Sequence, residues 1–238
     1  MQTEITLIGN EGFRLAAGGP CIYIDAFYRM IPGVAGTAFT RAKAVTKADL
    51  ILVTHSHWDH FHAEAVADVR SRTAATVVGP ATVTRALRGI VPPGNLVELE
   101  PPLTAAPAPA ASRTVRLANV TVTALRTFHS SDHNSYLVET PTFRFFHDGD
   151  NEDTTRIDAA ALGRLDALLI GPWQGSHWVD FIEKLAPRRY FLMHLSNEEL
   201  AQHDAGTFLP ELCDHVPDGL VVLRPGSSFV FKDVNKKP

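Results

Sequence analysis

Apolar residues along this chain gather into short runs separated by polar and turn-forming positions, the rhythm of strands with helices set between them. Strand-like runs at Ile5–Ile8, Phe13–Ala16, Cys21–Ile24 and Leu50–Thr54 come first. A helix-like Ala63–Arg72, a strand at Thr76–Val78, a helix at Ala81–Gly89 and a strand at Leu96–Leu99 follow. Around the fourth run, Leu50-Ile51-Leu52-Val53 is continuously apolar rather than alternating, which predicts a central strand covered on both faces. Residues 101–112 break the pattern. Pro101, Pro102, Pro107 and Pro109 exclude a helix despite the many alanines and predict a surface loop of polyproline character. A second half then repeats the scheme, with strands at Thr114–Leu117, Val120–Leu125, Ser135–Glu139, Phe143–His147, Ala167–Ile170, Tyr190–Met193, Val221–Leu223 and Phe229–Phe231. Its helices fall at Ile157–Leu162, Trp178–Leu185 and Asn197–Gln202. Two such halves suit an α/β fold.

Composition narrows the picture. With 238 residues and 45% hydrophobic content, a single domain over 1–238 has enough apolar material for its core. A net charge of -4 with dispersed Lys and Arg forms no basic stripe, so no nucleic-acid partner is expected. The opening Met1-Gln2-Thr3-Glu4 lacks a charged and apolar leader, and no run approaches a membrane span; the expected protein is cytoplasmic, with no membrane partner. Cys21 and Cys213 are expected to be buried free thiols rather than a disulfide.

The densest chemistry follows the central strand. Thr54-His55-Ser56-His57-Trp58-Asp59-His60 puts three imidazoles and a carboxylate on one loop at the strand's carboxyl end, where α/β sheets collect ions and small ligands. His55 and His57, two residues apart, can point the same way from extended backbone. Asp59 and His60 fall on the turn into the next helix and can face a second point, so one loop can serve two metals. Imidazole with carboxylate suits Zn²⁺, with Fe or Mn as alternatives.

These residues resemble the H-x-H-x-D-H signature of the metallo-β-lactamase superfamily, complete here as His55, His57, Asp59 and His60. Further segments extend the resemblance in order along the chain. Ile22-Tyr23-Ile24-Asp25 is similar to the family's early Asp-ended strand. Thr127 to Tyr136 matches the segment carrying its third His, at His129; Phe145 to Asp150 matches the bridging Asp after a Gly; and Arg189 to His194 matches the strand that ends in its last His. Asn151 stands where the family often has Thr, and both can cap a helix. Within the superfamily, the compact length and the Ile24-Asp25 ending resemble the ascorbate-6-phosphate lactonase branch.

The resemblance implies a four-layer αββα sandwich, two mixed sheets with helices outside and metals at one edge. It implies two zinc ions, one held by His55, His57 and His129, the other by Asp59, His60 and His194, with Asp150 bridging. Asp25 would support the ligands from an early strand end without being one. The implied activity is hydrolysis of an ester, lactone or phosphodiester by metal-bound hydroxide, with Asp59 as ligand and proton acceptor. No Ser or Cys sits in a recognisable nucleophile elbow. Two divalent metals bring four positive charges, and Asp59, Asp150 and a hydroxide return three. About one positive charge remains, which favours an anionic small-molecule substrate. Two other classes share the fold: an iron-dependent thiol dioxygenase and a metal-stabilised biosynthetic accessory protein. Flavin-coupled di-iron members carry Glu where this chain has His57, which counts against that branch.

Several other residues have two readings. His133, four after His129, competes for its place as ligand, and His147 and Asp148 either orient a ligand or serve a strand end. His177 could reach the cleft but reads as a helix-start surface residue; His62 reads as a cap, and His203 and His215 as surface. The apolar Ala26-Phe27-Tyr28-Arg29-Met30-Ile31-Pro32-Gly33 is either a flap whose Arg29 grips an anion or a loop folded onto the core. Trp58, Trp173 and Trp178 are candidates for the mouth.

Overall fold

In the computed structural model, which describes residues 2–17, 19–29, 44–172 and 177–232, the chain begins with three antiparallel strands. These are β1 (Thr3–Gly9), β2 (Gly12–Ala17) and β3 (Cys21–Ile24). Alternation along β1 turns Ile5 and Leu7 to the buried face and leaves Glu4 and Thr6 half-buried. Parallel strands β4 (Leu50–Leu52), β5 (Thr76–Gly79) and β6 (Leu96–Glu98) extend the sheet, with α1 (Ala63–Thr73) and α2 (Ala81–Leu87) between them. All three β4 residues are buried, as its unbroken apolar run requires.

The second half builds its own sheet by the same rule. Antiparallel β7 (Ser112–Leu117), β8 (Val120–Leu125), β9 (Ser135–Glu139) and β10 (Arg144–His147) lead into parallel β11 (Ala167–Ile170), β12 (Arg189–Leu192) and β13 (Leu220–Val222). The helices α3 (Ala159–Leu162), α4 (Trp178–Leu185), α5 (Asn197–Asp204) and α6 (Phe208–Leu212) accompany this half. The last strand, β14 (Ser228–Phe231), crosses back to pair with β1, so the sheets run β14-β1-β2-β3-β4-β5-β6 and β13-β12-β11-β10-β9-β8-β7.

Three apolar clusters separate four layers. One lies between the sheets, around Ile5, Phe13, Leu15, Val122, Tyr136, Phe145 and Phe191. A second joins the second sheet to its helices through Phe146, Leu168, Phe181 and Ile182. The third joins the first sheet to α1 and α2 through Ile51, Val66, Val69 and Val83. This is the αββα sandwich of two mixed sheets expected from the sequence.

Three local expectations change. Sequence periodicity groups Phe229–Phe231 with the second half, but β14 edges the first sheet. Its Phe229 and Phe231 rings meet Phe191 of β12, and Phe231 meets Phe143, so the strand ties both halves across the core. The short α6 escapes the apolar pattern because Pro210 reads as a breaker, yet a proline in a first turn forfeits no helical hydrogen bond. Cys213 is half-buried rather than buried, and both cysteines are free thiols. Residues 101–111 form neither helix nor strand, as their prolines predict. Among the described residues no helix is long and apolar enough to cross a membrane.

Strand direction concentrates loops at one edge. Pairing makes β1, β3 and β4 point the same way in the first sheet, and β8, β10 and β12 the same way in the second. Packing is close at the β1–β2 turn, where a Cβ on Gly12 would stand 2.6 Å from the Asp25 carbonyl oxygen and 2.8 Å from the Ala26 Cα. These are backbone atoms and cannot swing aside. Gly12→Ala is therefore expected to lower unfolding free energy by about 1–3 kcal/mol; an unchanged denaturation midpoint would contradict that close approach.

Candidate metal centre

Each of these strand ends delivers a polar side chain to the same edge. β4 runs into Thr54 and His55, β3 ends before Asp25, β8 leads to His129, β10 to Asp148 and Asp150, and β12 to His194. Three of these residues or their neighbours sit in the left-handed region, Asn10 (φ 51°), Asp25 (φ 43°) and His194 (φ 60°). Non-glycine residues seldom adopt it, and such strain collects where backbone must turn sharply to aim a side chain.

The structure brings all seven side chains expected at the metals into two adjoining groups. Donor atoms of His55, His57, His129 and Asp150 lie within 4.8 Å of one another, and so do those of Asp59, His60 and His194. Asp150 reaches both groups. Its Oδ2 is 3.2 Å from His60 Nε2, 3.5 Å from His129 Nε2 and 3.8 Å from His55 Nε2, and its Oδ1 is 3.5 Å from His194 Nε2. Asp59 Oδ2 lies 3.5 Å from His60 Nε2 and 3.4 Å from His194 Nε2.

Electrostatics sort these groups. Burial, reinforced by His60 and His133 nearby, pushes His55 far down, so it stays a neutral ring with a free lone pair. Burial would raise Asp150 and Asp59, but the surrounding imidazoles outweigh it and hold both far below the usual carboxylate range. His55 Nε2, His60 Nε2 and Asp150 Oδ1 are buried with no hydrogen-bond partner among the described residues. Buried polar atoms of this kind are rare unless something binds them. Imidazole nitrogens converging with ionised carboxylates are the donor set of a zinc-type ion, so the residues fit a metal.

His133 does not compete with His129. The Asp150 backbone N–H donates to His133 Nε2 at 2.9 Å, which leaves Nδ1 protonated to donate to Thr127 Oγ1 at 2.8 Å. Both ring nitrogens are committed, and burial pushes the ring down to about 3. A Cβ on Gly149 would stand 2.4 Å from that Nε2, so the family-like Gly makes room for this contact. His147 is similarly fixed: Gly149 N–H donates to its Nδ1, and its Nε2–H then donates to the Glu11 carbonyl at 3.0 Å. Asp148 is buried, accepts from Asn151 Nδ2 and Ser135 Oγ, and is pushed up to about 8 by its burial.

Asp25 lies beneath the site. Its Oδ1 accepts the Thr54 N–H at 2.8 Å and its Oδ2 the Thr54 O–H at 2.5 Å. Two residues escaped sequence reasoning. Glu11, on the β1–β2 turn, is fully buried with Oε1 2.8 Å from His60 Nδ1. Asp132 ties the two ligand loops together, accepting from the Ser56 N–H at 3.0 Å, from Ser130 Oγ at 2.7 Å and from Thr82 Oγ1. Neither has a motif spacing; each is defined by partners distant in sequence.

Other candidates fall elsewhere. His62 accepts the Ala65 N–H as the cap of α1. His177 and His215 are exposed and near Asp180 and Glu183. Trp178 packs in the helix-side core, whereas Trp58 is 60% exposed beside His57, and Phe128 is 50% exposed beside His129. Ala26, Phe27 and Tyr28 are buried, so this part of the proposed flap is folded onto the core. Residues 30–33 and Trp173 lie outside the described residues.

The helix-flanked double sheet is shared with solved structures of the metallo-β-lactamase type. The fold is similar to that of Igni18, a metallo hydrolase of Ignicoccus hospitalis (TM-score 0.66, 16% identity, covering 98% of this chain and 99% of that one). It is also similar to YhfI, a metallo-beta-lactamase fold protein of Bacillus subtilis (TM-score 0.67, 12% identity, 97% and 99% covered). In sequence the chain is 29% identical to a UPF0173 metal-dependent hydrolase of Nitratidesulfovibrio vulgaris over 254 residues, covering 97% of this chain and 96% of the relative. It is 30% identical to another of Rubrobacter xylanophilus over 199 residues, covering 74% and 75%. The family model of the beta-lactamase superfamily domain matches residues 21–202, and the chain belongs to that superfamily as a metal-dependent hydrolase.

The Asp132 clamp makes a pH-dependent contribution. Burial raises its carboxyl, but the hydroxyls of Thr82 and Ser130 and the Ser56 N–H lower it further, so the net shift is downward. A depressed native pKa adds stability above the unfolded carboxylate value of about 4, and that stability is lost as pH falls through the lower native value. Wild-type unfolding free energy is therefore expected to fall more steeply in this acid range than that of Asp132→Asn, measured by denaturant titration. Parallel profiles would refute the clamp.

Proposed function

We propose that the chain is a dinuclear metal hydrolase acting on an ester, lactone or phosphodiester, and that the position of Asp150 carries the reading. Its two oxygens face both donor groups at 3.2–3.8 Å, the place of a carboxylate shared by two ions. His55, His57 and His129 would hold one ion and Asp59, His60 and His194 the other. Two zinc ions are the choice for this donor set, with iron or manganese as alternatives. When bound, they lower the pKa of a shared water, polarise the scissile oxygen and stabilise the leaving oxygen.

The chain's own groups complete the reaction. Asp59 turns Oδ2 toward His60 and His194 at the partly open side of the site, where it is the proposed proton acceptor. In hydrolysis the water oxygen bonds to the acyl or phosphoryl centre, its proton passes to Asp59, and the departing oxygen takes that proton as its bond breaks. Asp150, held by His133 through its backbone, stays ionised and fixed.

The substrate is proposed to be a small molecule with an anionic group. Asp25, ionised behind His60, offsets part of the residual positive charge counted from Asp59 and Asp150 alone, so the preference for an anion is modest. Exposed Trp58 and Phe128 adjoin His57 and His129, whose ring centroids are 5.0 Å apart, and offer apolar surface to the substrate's other end.

Asp150→Ala is expected to lower metal content and abolish turnover, by elemental analysis of purified protein and a screen of chromogenic esters, lactones and phosphodiesters. A variant retaining two metals and full turnover would refute the assignment. Oxygen consumption on a thiol by an iron form, with no hydrolysis of any class, would favour the dioxygenase reading. For any hydrolysed substrate bearing an apolar group, Trp58→Ala with Phe128→Ala should raise KM on the order of tenfold, the loss of one modest apolar contact. Unchanged KM would place the apolar end elsewhere.

A further inference from the structure

Two carboxylates are fully buried behind the candidate metal centre, and both lie against His60. Asp25 spends both oxygens on Thr54, through its N–H and its O–H. Thr54 Oγ1 in turn lies 2.9 Å from His55 Nδ1, so Asp25 acts on His55 through one hydroxyl. Its Oδ2 also accepts from His60 Nδ1 at 3.4 Å, so Asp25 reaches both rings.

Glu11 has the opposite pattern. Its Oε1 approaches His60 Nδ1 to 2.8 Å, an ion-pair distance away from the line of a hydrogen bond, and neither carboxylate oxygen has a hydrogen-bond partner among the described residues. The backbone beneath is fixed: His147 Nε2 donates to the Glu11 carbonyl, and the next residue, Gly12, packs against Asp25 and Ala26. Neighbouring Asn10 adds two more ties, its carbonyl accepting the His194 N–H at 3.0 Å and its Nδ2 reaching the Asp59 carbonyl at 3.3 Å. A buried carboxylate with one imidazole and a second carboxylate beside it is expensive to keep unless that imidazole carries positive charge on its far side.

We infer that Glu11 is a positioning residue for His60 alone, flanking the Nδ1 edge of the ring beside Asp25 so that Nε2 faces Asp59, Asp150 and His194, while Asp25 serves His60 directly and His55 through Thr54. This division rests on the two-metal reading. Glu11 then supports one ion, that of Asp59, His60 and His194, whereas Asp25 supports both, through His60 and, by way of Thr54, through His55. Outer carboxylates of this kind fix the tautomer and orientation of a ligating ring.

The test is metal titration of the full chain, stripped with chelator and followed by calorimetry with Zn²⁺ and by the visible absorption of Co²⁺. Wild type should show two binding steps, and His194→Ala should identify which step belongs to the Asp59–His60–His194 group by removing it. Glu11→Ala should weaken that same step by about 10–100-fold and leave the other within a few-fold. Glu11→Gln keeps the shape without the charge and should recover part of the loss; it also decides the matter if the alanine variant does not fold. Asp25→Asn, which touches both rings, should weaken both steps and change the Co²⁺ spectrum of both ions. Equal weakening of both steps by the Glu11 variants, no weakening, or weakening of one step alone by Asp25→Asn would each overturn the inference. A single step in wild type would instead overturn the two-metal reading, and it is seen before any variant is made.

Discussion

Asp150 is the charge around which the rest of this edge is arranged. Nε2 atoms of four histidines, His55, His60, His129 and His194, lie within 3.8 Å of its two oxygens. Imidazoles so crowded cannot all carry protons, because like charges in a partly dry site repel strongly. The rings nearest the interior show the consequence: His55 is driven far down, and His60, despite a burial that lowers it, is raised by Glu11, Asp150 and Asp25 around it. Remove the central carboxylate and the crowd of rings loses the one group that faces both halves of it. This requirement also explains the care spent on Asp150 itself. Its backbone N–H is bound by His133, and the preceding Gly149 (φ 61°) leaves no side chain to block that ring.

Convergence on one carboxylate constrains the fold. Six strand ends or turns must aim at one point, and the two sheets achieve this by orienting β1, β3 and β4 in one and β8, β10 and β12 in the other toward the shared edge. Cross-ties then lock the halves together at the site. The Tyr136 hydroxyl donates to the Val53 carbonyl, the Asn134 N–H to the Thr54 carbonyl, and the His194 N–H to the Asn10 carbonyl. Each tie joins a strand end of one sheet to a ligand loop of the other. The sandwich core holds the sheets face to face, but these polar contacts set the register of the loops to within hydrogen-bond tolerance.

What was legible in the sequence was local. The continuous Leu50–Val53 run announces a buried strand, and the dense loop after it announces its ligands, because both signals lie within a few residues. Order along the chain gave His129, Asp150 and His194 their places by resemblance, and the structure brings them beside the first loop. What was not legible was pairwise and distant. Glu11 looks like an ordinary turn residue, and only the three-dimensional meeting of the β1–β2 turn with His60 shows a buried carboxylate there. Asp132 reads as one of several polar residues near His129 until its bonds to Ser56 and Thr82 are seen. The choice between His129 and His133 turned on a backbone N–H that no spacing encodes, and β14 changed sheets because aromatic packing with Phe191 and Phe143 outweighs sequence proximity.

The β1–β2 turn shows why such distant contacts concentrate where they do. A tight turn presents its backbone and side chains in fixed directions, and here Asn10 takes a left-handed conformation that a non-glycine residue adopts only when its surroundings demand it. Its carbonyl takes the N–H of His194, itself left-handed, so two strained residues from opposite sheets stabilise one another across the site. Glu11 follows with its carbonyl on His147 and its carboxylate on His60. Two consecutive residues thereby touch the strand ends that carry His194, Asp150 and the Asp59–His60 turn. A shift of this turn would be felt by both donor groups together, whereas a shift in any single ligand loop would be felt chiefly by one. The strain at Asn10 and His194 is therefore the local cost of coupling the two sheets at the point where their side chains must meet.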